Sequence, residues 1–394
     1  MRTRLFQAGI AALAYTISTA AQAETPVTLR DALSTVPVGV LETDQPYGVI
    51  AKVVNLSAAR ALIPATGDTF GFPHSLSTSL GRKDAIRPFA EWSTPQGMMG
   101  EWEKQAGVPI TRVAAFVGFG DTPRSGAIWI MAGDADAARV FDGLAGRGFS
   151  PLDGGVLING EPGNIAIDRL SPGDPWLGSN GLTSAVGRSG RLLIQSAYPE
   201  PVRMAQSATP ATNLTSSPPV DTALKGVEAV TDGRMLVVQA LLAWPVAIGV
   251  TQDMLDAKGQ GGPAVQKDGV MPGLPAYSAA LVADIQATDR RWGAAISLVY
   301  QDCTVAAEGG RRFVERWKTV PFREDSGQPM SQLIPAEIAT RTVEADGGCA
   351  AVITITAAMP PTADPQMQLG NPIAALVSLA IQNRNFVAAT MSLD

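Results

Sequence analysis

The sequence predicts an α+β protein built as two tandem sandwich domains, each an antiparallel sheet with helices on one face. Three observations carry that expectation. A hairpin followed by an amphipathic helix occurs twice in the same order, strands and helices alternate irregularly, and a low-complexity stretch, Gln206 to Pro219, separates the two occurrences. A parallel doubly wound sheet would need a helix between nearly every pair of strands, and the pattern does not supply them.

The chain opens with a segment that reads as a cleavable secretory signal. Arg2 and Arg4 precede an apolar or small run from Leu5 to Ala20, and Ala21-Gln22-Ala23 fits the small-x-small pattern of a cleavage site. The run is short for a bilayer span and is interrupted by Gln7, Thr16, Ser18 and Thr19. On this reading residues 1–23 are removed and 24–205 form the first domain. A Ser/Thr/Pro/Ala-rich linker, 206–219, leads to the second, 220–394.

The first hairpin-helix unit is read as strand Val113 to Phe119, turn Asp121 to Ser125 and returning strand Gly126 to Met131. Asp134 then starts a helix with Ala137, Val140, Phe141 and Leu144 at helical spacing, and Gly146 and Gly148 end it. In the second unit Ser278 to Gln286, the turn Ala287 to Arg290 and Gly293 to Tyr300 make the hairpin. Thr304 is the candidate cap of a helix that turns Ala306, Phe313, Val314 and Trp317 inward. Further strands are expected at Gly155 to Asn159, Asn164 to Leu170, Ala339 to Glu344 and Cys349 to Ala357. Gly48 to Leu56 and Gly233 to Leu242 are a third, fainter matching pair, consistent with an internal duplication. The nearly uncharged run Met235 to Thr251 carries Gln239 and Pro245 and is read as a buried strand and helix, not as a membrane span.

Composition narrows the chemistry. Formal charge is −6, becoming −8 once the two arginines of the signal are gone, and no Lys/Arg run exceeds a pair, so nucleic acid is not an expected partner. Apolar residues at 46% supply a sizeable core, while 40 glycines and 29 prolines imply many loops. Cys303 and Cys349 suit a disulfide in an oxidising compartment, and no Cys-x-x-Cys spacing suggests redox work. A single histidine and two cysteines are too few for the usual zinc sites, and no cofactor is expected. There is no G-x-S-x-G elbow, no S-x-x-K and no phosphate loop.

The remaining candidates are few. His74 lies in a turn-rich segment and reads as a surface histidine. Glu91, Trp92, Glu101 and Trp102, with Glu103, combine carboxylates and indoles in a pattern that could work on sugars, although Trp92 and Trp102 also read as the packing side of a helix. Trp176, in the turn Pro172-Gly173-Asp174-Pro175-Trp176, is expected to be an exposed aromatic. These observations favour an exported, periplasmic or else extracellular, non-enzymatic protein that binds an envelope protein or polysaccharide through loops and strand edges. A carboxylate-dependent hydrolase of envelope glycans stands second, and a receptor for a small solute third.

Overall fold

Alternating and continuous apolar runs here pair into one antiparallel sheet. The computed structural model describes residues 26–42, 48–62, 86–121, 123–231, 233–249, 273–321, 327–359, 370–382 and 386–391. The first seven strands are β1 (Val49–Asn55), β2 (Val113–Phe119), β3 (Gly126–Met131), β4 (Ser150–Leu152), β5 (Val156–Ile158), β6 (Ala185–Ser189) and β7 (Leu192–Ser196). The other five are β8 (Met235–Ala243), β9 (Ala279–Ala287), β10 (Arg291–Tyr300), β11 (Glu337–Ala345) and β12 (Gly348–Ala358). They lie in the order β11-β12-β10-β9-β8-β1-β2-β3-β7-β6-β5-β4. The α+β class with antiparallel pairing is as the sequence predicts, and both hairpin-helix units form within one or two residues of the expected bounds.

Two features differ from expectation. The two sheets are one, because β1 and β8 pair antiparallel at its centre, Val53 opposite Ala240. Moving outward from that pair, both halves repeat one order: three consecutive strands, then the last, then the one before it, so that β6 and β11 hold equivalent places. The first half alone continues, with β5 and β4 beyond β6.

Helices also cover both faces, not one. On the first face lie α1 (Leu29–Leu33), and on the second α2 (Leu56–Leu62), α3 (Arg87–Trp92), α4 (Trp102–Ala106) and α5 (Asp134–Gly143). Back on the first face come α6 (Pro199–Gln206) and α7 (Pro218–Thr231), then on the second α8 (Pro245–Gly249), α9 (Cys303–Thr319) and α11 (Pro372–Gln382); α10 (Met330–Leu333) is a single turn beside α9. Burial on both sides explains why β2 and β9 are apolar or small along most of their length instead of alternating with polar residues. Under the first face one core runs unbroken from Val156 on β5 to Val299 on β10. On the second face the core is split, one cluster around Trp129 and the other around Phe313.

Local details follow side-chain chemistry. Asp302, not Thr304, caps α9, its carboxylate accepting from Val305 N at 2.9 Å, a contact worth about 1 kcal/mol. The stretch 206–219 carries the end of α6, a single turn at Leu214–Ser216 and the start of α7. It is tied to the N-terminal segment by Leu214 N donating to Val36 O and Val38 N donating to Thr212 O. Residues Met235 to Ala243 are strand and Pro245 to Gly249 helix, as read, and among the described residues no helix is long and apolar enough to cross a membrane. Cys303 at the head of α9 and Cys349 on β12 are bonded, with Cα atoms 5.0 Å apart.

Candidate functional site

Arg87 and Glu91 stand four residues apart, which places them on one side of α3, over the long connection from β5 to β6. That connection first runs along the surface and then dives inward: most residues from Gly160 to Pro172 are exposed, and Gly173 to Gly178 are all buried. Buried loop backbone needs partners for its polar groups, and α3 supplies them. Glu91 accepts from Gly173 N at 3.0 Å, from Ser179 N at 2.7 Å and from Ser179 Oγ at 3.1 Å. The Arg87 guanidinium donates to the carbonyls of Trp176, Leu182 and Thr183.

Glycine is required at two points of this clasp. Gly173 has φ +87° and a Cβ there would lie 2.8 Å from Gly97 N; Gly178 has φ +64° and a Cβ would lie 2.5 Å from Glu91 Oε1.

Burial shapes the charges. It lowers the Arg87 guanidinium to about 10, against the opposing pull of Glu91 and Asp174, so the side chain stays charged at neutral pH. Burial raises the Asp174 carboxyl, partly offset by the amides of Trp176 and Leu177 that it accepts from.

Beneath the clasp, aromatic rings stack. Trp176 lies flat on Trp129 with ring centres 4.9 Å apart, Trp129 stacks on Trp102 at 5.0 Å, and Phe149 meets Trp176 edge-on. Trp176 Nε1 donates to Gln105 O, Trp129 Nε1 to Gln195 Oε1, and Gln195 Nε2 to Pro175 O, which ties the loop to β7 and α4.

The candidates from sequence fall out as follows. Trp176 is 2% exposed, so the surface aromatic expected in that turn is instead its anchor, because Arg87 and Glu91 satisfy the backbone that carries it inward. Trp92 and Trp102 are buried in the same core. Of the carboxylates, Glu91 is spent on the loop, Glu101 faces Lys104 at 3.4 Å, and Glu103 is exposed. His74 lies outside the described residues, as does the segment 1–23. Among the described residues no cluster of His, Cys, Asp or Glu is placed to hold a metal ion.

The chain matches no known protein family, no curated protein and no solved structure.

The strand expected at Asn164 to Leu170 is not one. Ala166 N bonds Gly181 O and Thr183 N bonds Asn164 O, so this arm pairs with the returning arm of its own loop and makes only a bridge, Ile165 to Leu182, and a turn at Ile167–Arg169. Its apolar side chains are left outside: Ile165 is 57% exposed, Ile167 74% and Leu170 48%. Met99, on the helical turn against which Gly173 packs, is 73% exposed. The sequence places Ile165, Ile167 and Leu170 in an expected strand, Asn164 to Leu170. The i,i+4 spacing of Arg87 and Glu91 was the available signal for the clasp.

Proposed function

We propose that this is an exported envelope protein, periplasmic and without catalytic activity of its own, that docks another envelope protein on the loop held by Arg87 and Glu91. The observation that carries this reading is the pairing of a braced base with an apolar tip. Ile165, Ile167 and Leu170 stand in solvent within six residues of one another, on a backbone pinned from below by two charged side chains and a tryptophan stack. Pinning removes loop freedom before binding, and that lowers the entropy lost when a partner arrives. Glu161, Asp168 and Arg169 ring the apolar tip with exposed charge, the arrangement of a small protein interface.

The disulfide agrees with an oxidising, exported location. Of the hydrolase candidates, Glu91 is engaged by the clasp, and the exposed apolar tip favours a protein partner over a small solute.

The test is a photo-crosslinking residue at Leu170 in cells that export the protein, with and without Ile167→Asp. A discrete adduct that falls at least tenfold in the Asp variant, with the thermal midpoint unchanged, is the expected result. Adducts of equal yield in both, or none, would overturn the reading.

A further inference from the structure

The two ends of the sheet are finished differently. At one end β4 has three residues with Pro151 in the middle, a short edge that cannot offer a full row of amides. At the other, β11 runs nine residues, pairs with β12 without a bulge and contains no proline. Six of its nine residues are exposed, and among the described residues none of its outward backbone groups has a hydrogen-bond partner. The repeated strand order makes β11 the counterpart of β6. In the first half that same edge is taken by β5, which adds antiparallel, Val156 opposite Gly187. Among the described residues, the second half thus has an acceptor edge of the same kind with no strand on it.

We propose that the occupant is β11 of a second copy of this chain, added antiparallel about a twofold axis at Ala339. Charge decides the register. Residues directly opposite must share a face of the sheet, which limits the choice to registers that centre on a residue. Ile338 packs toward the second-face core, so Glu337, Ala339 and Arg341 lie together on the first face. Centring on Ala339 sets Glu337 against the partner copy's Arg341 and Arg341 against its Glu337, two opposite-charge pairs with no like charges opposed. Centring on Arg341 would oppose two arginines, and centring on Thr340 would set Arg341 against Ala339 and pair no charges at all. Beyond Ala336 the strand meets Pro335, which has no amide to give and ends the pairing there. The alternating charges that would repel a stray strand therefore admit a second copy.

The test uses the mature chain at a series of concentrations in sedimentation. Wild type is expected to dimerise, Glu337→Arg and Arg341→Glu each to sediment as monomers, and the doubly swapped chain to dimerise again. Ala339→Cys supplies a free thiol on the axis, where facing Cα atoms about 4.5–5.5 Å apart suit a disulfide. This variant should crosslink to itself on oxidation, whereas Ala345→Cys should not. A monomeric wild type, single swaps that leave the dimer intact, or crosslinking at 345 and not at 339 would each overturn the proposal.

Discussion

Replacing Arg87 by methionine is expected to lower the unfolding free energy by about 3–5 kcal/mol. Methionine fills similar space but leaves the carbonyls of Trp176, Leu182 and Thr183 without their shared donor, and it strips the neighbouring Glu91 and Asp174 of the nearby positive charge. Each lost contact to a charged donor is worth about 1.5–3 kcal/mol before the chain relaxes, so a total at the lower end requires the loop to swing out and rehydrate. Urea unfolding gives the total, and amide exchange at Gly173 to Gly178 shows where it is lost. Arg87→Lys should recover part of the charge but not the fork that reaches three carbonyls. A loss under about 1 kcal/mol for the methionine variant would mean that the clasp does not hold the loop.

The second large effect is at the disulfide. Cys303 and Cys349 are separated by 46 residues, and opening that loop in the unfolded chain is expected to cost about 4 kcal/mol by chain entropy. The bond ties the first residue of α9 to the strand that lies beside Tyr300, so α9 and the β10–β12 pair are joined where the chain leaves the sheet. Reductant should lower the thermal midpoint of wild type and leave that of the Cys303→Ser/Cys349→Ser chain unchanged. If reductant destabilised both equally, the effect would not belong to this bond.

Much of the sheet was legible because strand pairs joined by tight turns announce themselves locally. Val113 to Phe119 with Gly126 to Met131, and β9 with β10, needed only apolar runs and a turn between them. The union of the halves was not legible, because nothing local to Val53 or Ala240 says that they meet. The same holds at the site. Pro172-Gly173-Asp174-Pro175 has the composition of a surface turn, and the distant Arg87, Glu91 and Gln195 make it possible to bury Trp176 behind it. Ile165 and Ile167 carry a strand's pattern, but among the described residues they make only a single bridge and are left exposed.

The pairing of β1 with β8 also sets an order of events. During synthesis the first half, finished by Gln206, has every strand it needs except the one that lies against β1, and that strand arrives only with Met235 to Ala243. Until then β1 presents bare amides and carbonyls next to an apolar surface, the combination that invites association with other chains. Closing the seam joins segments far apart in sequence and should be the slowest step of refolding. A chain cut between the halves would be left permanently at that stage, each piece carrying an adhesive central edge that the intact protein exposes only in transit.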